Sequence, residues 1–405
     1  MSKLDELIKE LCPNGVEFVP LWSVTAWDKK FNSVPREKQK KIIKYNYFLA
    51  ADLKALESET GTVKILTTSP SDLWADEENT NDVLSEGEIV CIPWGGNPIV
   101  QYYKGKFVTG DNRIATSLDT NKLDNKFLYY CLQGKLPEIA SFYRGSGIKH
   151  PDMSKVLDLE LPVPPLEVQR EIVRVLDSFT LLTAELTAEL TAELTARRKQ
   201  YEFYRDQLIE NPPGEVKKCK MGDVLTFLNG RAYKQEELLS AGKYPVLRVG
   251  NFYTNDSWYY SDLELDDNKY CEKGDLLYSW AATLGPKIWD GEKCIFHYHI
   301  WKILFDERII NKKYLYYYLQ YDLAQISMST TKSTMVHVSM GSMKERQLLL
   351  PTMDEQEKIA DLISKFDTLC CDIRDGLPAE IKARKNQYEF YRDKLLNFDA
   401  KGATC

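Results

Sequence analysis

The side chains in this chain best suited to chemistry sit in polar loops, and they are donors and cations rather than paired catalytic acids and bases. In the first half the loops are Trp94-Gly-Gly-Asn97, Asp111-Asn112-Arg113 and Arg144-Gly-Ser146-Gly-Ile-Lys149-His150. In the second half they are Asn229-Gly-Arg231-Ala-Tyr233-Lys234, then Arg248 with Asn251, then Thr330-Thr331-Lys332-Ser333-Thr334 followed by His337. A basic run adds Lys29, Lys30, Arg36, Lys38, Lys40, Lys41 and Lys44 against the single acid Glu37. Arg, Lys, Asn and Gln pair with the edges of guanine and adenine, while Ser, Thr and Lys suit phosphate oxygens. As a set, these loops are expected to approach DNA; for any one residue the alternative is an ordinary solvated loop.

Other chemistry finds little support. There is no GxxxxGK[ST] loop for ATP, no GxSxG and no HExxH. Asn211-Pro-Pro-Gly214 is similar to the Asn-Pro-Pro-aromatic loop of amino-methyltransferases, but Gly replaces the stacking aromatic, so a linker is expected. His297 and His299 are two apart, which suits one face of a strand. A metal would need a third ligand that the sequence does not offer, so no metal is expected. Nine scattered cysteines without a CxxC spacing read as reduced thiols. The chain is expected to bind and position, not to catalyse, and to hold no cofactor itself.

The net charge of −7 argues against a simple basic nucleic-acid binder, although the location of charge matters more than its total. Asp72 to Glu88 is strongly acidic, so the chain is polarised along its length. No long apolar run is present, and the N-terminus is charged at Lys3, Asp5, Glu6, Lys9 and Glu10, so no membrane span or signal peptide is expected and the cytoplasm is the expected compartment.

The elements that must carry these loops are written twice. Tyr201-Glu-Phe-Tyr-Arg-Asp206 recurs as Tyr388-Glu-Phe-Tyr-Arg-Asp393, a shift of 187. The same shift brings Gln169 onto Gln356, Pro164 onto Pro351, Leu128-Tyr-Tyr130 onto Leu315-Tyr-Tyr317 and His150 onto His337. Such self-similarity marks a repeated structural unit, here a globular segment followed by a long helix. After Pro164-Pro165, the residues Ile172, Val175, Leu176, Phe179, Leu182, Leu186, Leu190 and Leu194 recur at spacings of three and four, which predicts one helix over 166–209. Within it Thr183 to Leu194 reads TAEL three times, with Thr183, Leu186, Leu190 and Leu194 marking the repeat. Each copy adds a little more than one helical turn, so the repeat can set a distance. A helix so long needs a partner along its seam. The second copy, 354–397, supplies one, with a break expected at Asp375-Gly-Leu-Pro378. Of Tyr201, Tyr204, Tyr388 and Tyr391, about half are expected in the helix seam and the rest on a docking surface. Strands are predicted at Glu88–Ile92, Tyr244–Val249, Asp275–Tyr278 and Ile300–Phe305, and helices at Asn125–Gln133 and Lys312–Gln320.

The duplicated segments closed by Pro164-Pro-Leu-Glu-Val-Gln169 and by Pro351 to Gln356, the Arg198-to-Asp206 helix motif and the TAEL run together resemble the specificity (S) subunit of type I restriction-modification enzymes. The second globular segment matches well at Asn229-Gly-Arg231, Pro245 to Gly250 and Lys273 to Leu277; the first matches more loosely. The resemblance implies an α+β protein. Two mixed α/β target-recognition domains would be separated by two long helices paired as an antiparallel coiled coil, in a pseudo-twofold internal repeat. The corresponding division is a first recognition domain over 1–163 with a short N-terminal helix at 4–11, a helical spacer over 164–210, a second recognition domain over 211–350, a C-terminal helical spacer over 351–398 and a tail over 399–405. It also implies a bipartite double-stranded DNA target, two methyltransferase (M) subunits that use S-adenosylmethionine on adenine N6, and motor-nuclease (R) subunits that use ATP and Mg. A stand-alone DNA-binding regulator, or a coiled-coil scaffold with two protein-binding heads, remains as an alternative.

Overall fold

Behind Pro164 and Pro165, whose rings bar a helix from extending backward, the chain runs as one helix from Leu166 to Glu210, 45 residues long. This is a computed structural model, which describes residues 2–80, 84–253, 255–329, 337–371 and 377–402. The chain divides into two units, Met1–Ala188 with Lys382–Cys405, and Glu189–Ile381. The division falls inside the TAEL run, between Ala188 and Glu189.

The first unit is built on a six-stranded sheet. In spatial order its strands are Thr25–Trp27, Asn112–Ser117, Ser85–Pro93, Gln101–Thr109, Val63–Leu66 and Leu73–Ala75. All neighbours are antiparallel except Val63–Leu66, which runs parallel to Gln101–Thr109. The helix Asn125–Gly134 lies against the sheet and starts at Asp124, whose carboxylate accepts from the Lys126 and Phe127 amides and so satisfies two otherwise orphaned donors. Its buried Phe127, Leu128 and Tyr130 join Trp27 and Leu161 and, from the long helix, Val168, Ile172 and Leu176 in one core.

The second unit repeats the strand order in two pieces. One four-stranded sheet runs Thr226–Asn229, Ile300–Leu304, Leu276–Ser279, Gly285–Ile288. The other runs Tyr259–Ser261, Tyr244–Leu247, Cys294–Phe296, Tyr270–Cys271. The long strand Gln101–Thr109 of the first unit corresponds here to two strands, Gly285–Ile288 and Cys294–Phe296, interrupted around Asp290 and Gly291. The parallel pair recurs as Tyr244–Leu247 beside Cys294–Phe296. Trp301, Tyr278, Tyr314, Leu315 and Leu348 fill the core, with Ile359 and Ile363 from the Met353–Cys371 helix.

A buried glutamine ties each helix to its own globular part. Gln169 donates to the carbonyls of Lys122 and Pro164 and accepts from the Asp124 amide. Gln356 makes the same three bonds, to Ile309, Pro351 and Asn311, each 187 residues further on. The repeat in sequence is thus a repeat in hydrogen bonding.

Within the first unit, the Leu377–Leu395 helix packs antiparallel on the long helix. The ring of Tyr391 lies 6.2 Å from Phe179, and the Tyr388 hydroxyl lies 2.9 Å from Thr180 Oγ1, so numbers rise on one helix as they fall on the other. Within the second unit, Tyr204 stacks on Phe366 at 6.1 Å and Tyr201 is buried, its hydroxyl donating to Gln320. All four tyrosines make packing contacts, although Tyr204 and Tyr391 remain 44% and 41% exposed; the most exposed aromatics of the motif are Phe203 and Phe390, at 60% and 62%.

The second helical stretch runs as two helices, Met353–Cys371 and Leu377–Leu395, with Pro378 in the first turn of the latter, where a fresh start was expected; Asp375 and Gly376 of the expected break lie outside the described residues. One expectation needs correction. His297 and His299 are not on a strand. They occupy the tight turn between Cys294–Phe296 and Ile300–Leu304, because the chain must reverse there to enter the neighbouring sheet.

Candidate nucleic-acid interface

In the first unit, the three polar loops converge on Trp94. Its amide donates to the Asp111 carbonyl at 2.9 Å, the Arg113 guanidinium lies 4.1 Å from its ring centroid, and the His150 ring lies 5.2 Å away with Nδ1 2.8 Å from the Trp94 carbonyl. The loop from Arg144 to His150 is the tip of a hairpin whose strands pair Tyr143 with Pro151 and Arg144 with His150. Gly145 has φ +144°, and a Cβ there would lie 2.8 Å from the Ile148 carbonyl oxygen, so only glycine makes this turn without strain. The hairpin tip folds over the neighbouring loop through the Gly96 amide, which donates to the Lys149 carbonyl. Arg144, Ser146, Lys149 and Asn97 are exposed on the resulting surface.

The basic run reaches the same place through one ion pair. Lys29 lies 3.7 Å from Asp111 and 4.0 Å over the Tyr47 ring. Lys30, Arg36, Lys40 and Lys41 are exposed, whereas Lys38 is held by Asp158 at 2.6 Å. Two expected readers are structural instead. Asn112 is fully buried and its amide donates to Leu66, Thr67 and Thr109; Arg113 is 4% exposed, donating to Asp111 and to the Asn112 carbonyl. Their donor groups are used inside the fold, at the start of an interior strand, where an unbonded N–H group would be costly. Neither side chain is free to meet a base.

In the second unit the corresponding centre is Trp280, one residue from the register that carries Trp94. His337 lies 6.0 Å from its ring, as His150 does from Trp94 at 5.2 Å. His299 lies 5.0 Å away, and Trp301 stacks beneath at 6.0 Å. Arg231 reaches the cluster through its backbone, which bridges to His297. That bridge needs Gly230, since a Cβ there would lie 2.3 Å from the Phe296 carbonyl oxygen. The Arg231 guanidinium, however, grips Glu237 with two hydrogen bonds of 2.9 and 2.7 Å, which hold that carboxyl down to about 2. Tyr233 stacks on His297 at 6.4 Å with its hydroxyl buried, and Lys234 is exposed. Arg248 is exposed and lies over Tyr259, while Asn251 donates to the Asn255 and Ser257 carbonyls and so shapes its own loop. Thr331, Lys332, Ser333 and Thr334 lie outside the described residues. Burial, with His299 and Arg248 nearby, holds His297 down to about 4, so it is neutral at pH 7.

Trp280, Tyr298 and His299 were not among the residues singled out for DNA. Their signal in the sequence was the His-Tyr-His run, which invites a metal reading; among the described residues no group of His, Cys, Asp or Glu could hold a metal ion.

Residues 49–196 and 213–383 match the family model of the type I restriction modification DNA specificity domain. The chain is 34% identical over 330 residues to a putative type I restriction enzyme specificity subunit of Haemophilus influenzae, covering 77% of this chain and 83% of that one. It is 27% identical to the EcoR124I/EcoR124II type I restriction enzyme specificity subunit of Escherichia coli, with 98% of each chain covered. A chain solved in work on complex assembly and conformational transition of the type I R-M system has the same fold, with a TM-score of 0.62 over 95% of this chain and 98% of that one, at 13% identity.

Proposed function

The chain belongs to the type I restriction-modification specificity subunits, and from that premise we propose that it reads a bipartite double-stranded DNA target with one half-site for each unit. A specificity subunit is non-catalytic by itself; it recognises DNA within a restriction-modification complex. The observation that carries the bipartite reading is the recurrence of one arrangement, polar loops gathered around a Trp–His contact, at matching positions of the two units. Residues 1–163 and 211–350 are the recognition domains. In the first, exposed Arg144, Lys149 and Asn97 face base edges and Lys30, Arg36, Lys40 and Lys41 face phosphates. In the second, Arg248 and Lys234 take those parts.

The partners are two methyltransferase subunits and the motor-nuclease subunits. S-adenosylmethionine, ATP and Mg belong to those partners, and adenine N6 is the modified atom. The exposed Phe203 and Phe390 are equivalent residues of one repeated motif, each set edge-on to a neighbouring tyrosine at 5.5 and 5.4 Å. Two equal anchors suit two copies of the same partner, since exposed large aromatics are typical interface residues. An acidic chain fits this assembly, because basic partner surfaces can share in neutralising phosphates. No helix among the described residues is long and apolar enough to cross a membrane, and we place the complex in the cytoplasm with the DNA it reads.

The test is to express the chain with its neighbouring methyltransferase subunit and map methylated adenines across the host genome. One split motif with a fixed gap is expected. A stable complex that methylates a continuous motif would contradict the bipartite reading, and no DNA binding in any assembly would favour a protein-binding scaffold.

A further inference from the structure

Among the described candidates of the second unit, Arg231 is paired with Glu237 and Asn251 is bonded to its own loop, while Lys234 and Arg248 stay exposed. A further projecting side chain, at the centre of the aromatic cluster, is Tyr298. It is 38% exposed, and its hydroxyl has no hydrogen-bond partner among the described residues. Its backbone, by contrast, is held on both sides. The Tyr298 amide donates to the Arg231 carbonyl at 3.0 Å, and its carbonyl accepts from Trp280 Nε1 at 2.7 Å. The rings of His297 and His299 lie 4.4 and 3.9 Å from its own, and that of Trp280 6.0 Å. A phenol is thus presented on a turn whose backbone is already fixed, which lowers the ordering cost of binding.

The loop that supplies Trp280 carries a second mark. Ala282 has φ +62° and, among the described residues, is the one non-glycine in the left-handed region. Such a conformation persists only where the surroundings enforce it, and strain of this kind gathers at functional sites. Ser279 enforces it here, its hydroxyl donating 2.7 Å to the Thr283 carbonyl.

We propose that the His297-Tyr298-His299 turn is a further base-reading element of the second unit beside Arg248, with the Tyr298 hydroxyl bonding a base edge in a DNA groove and Trp280 and His299 fixing its direction. The proposal rests on the reading of the chain as a DNA specificity subunit. A phenol both donates and accepts, so it discriminates between base edges only because its direction is fixed.

The experiment compares methylation maps of the complex assembled with the parent chain, Y298F, Y298A and K234A. The parent must yield a split motif; a parent without one counts against the specificity reading, not against the turn. Given that motif, Y298F should assemble normally, keep one half-site intact and lose about ten-fold in discrimination at a position of the other. Y298A should lose at least as much at that position. K234A, which removes a phosphate contact, should lower methylation evenly over all sites. Unchanged discrimination in Y298F and Y298A overturns the proposal. So does an even loss over all sites, which would make Tyr298 a phosphate contact. Should Y298A fail to assemble, Y298F still decides, because it removes a single oxygen and leaves the ring packing in place.

Discussion

Asp28 shows how a side chain behind the candidate interface is governed by burial. It is 3% exposed; one carboxylate oxygen accepts from the Ile114 amide at 3.0 Å and the other, Oδ2, has no hydrogen-bond partner. Burial raises its carboxyl from 3.8 to about 6 despite the nearby Arg113 and Lys29. The folded state therefore holds this proton more tightly than the unfolded chain. The stabilisation that follows is complete below about pH 4 and is lost as pH rises through about 6. Asp28→Asn keeps an acceptor for the Ile114 amide and removes the charge. It should stabilise the chain by up to about 3 kcal/mol at pH 8 and have little effect at pH 4. Thermal unfolding of both chains across that range checks it; a gap that does not widen with pH would show that Asp28 is not ionised at a cost. At this scale the sequence was a fair guide to polar loops and a poor guide to which side chains are free. Asn112 and Arg144 look alike as candidates, yet one is buried at the start of an interior strand and the other stands on a hairpin tip.

Between elements, the two glutamines carry the most. Gln169 and Gln356 are buried, and each satisfies two carbonyls and one amide where a helix meets its globular part. Gln169→Ala and Gln356→Ala should each cost about 2–4 kcal/mol, since the truncation leaves one buried and two part-buried backbone groups without partners. Denaturant unfolding of each variant measures the cost; a loss under about 0.5 kcal/mol would mean that water replaces the amide. The elements themselves were largely legible. The long helix was expected over 166–209 and runs from Leu166 to Glu210, because its stripe of apolar residues and the prolines before it are local signals. Tyr244–Val249 was read as one strand, but the strand ends at Leu247 and a short helix begins at Val249. Alternation of apolar residues does not reveal where the neighbouring strand Cys294–Phe296 stops offering hydrogen bonds.

For the whole molecule, the predictions concern spacing and partners. One TAEL copy adds about 6 Å and turns the helix by about 40° beyond a full circle. One base pair adds about 3.4 Å and turns by about 34°. The rotations nearly match. Deleting Thr191 to Leu194 should therefore shorten the gap between half-sites by one base pair and leave both half-sites unchanged, as read by a methylation map. An altered half-site or an unchanged gap would refute the ruler. Phe203→Ser and Phe390→Ser should each weaken one of two methyltransferase contacts. Mass measurement of the assembled complex should then give one bound subunit with either change and none with both; two bound subunits in the double variant would remove these residues from the interface.

What the sequence determined alone was the repeat and its consequences: two copies of one unit, a helix that needs a partner, a run that can gain or lose whole turns, and a family. These follow from spacing along the chain, which needs no knowledge of what lies across a sheet. Tertiary structure decided which residues of those copies face outward. It buried Asn112 and Arg113, engaged Arg231 with Glu237, and set Trp280 against the Tyr298–His299 turn. The physical reason is that availability for a partner is set by which polar groups the fold itself engages, and those bonds cross the fold.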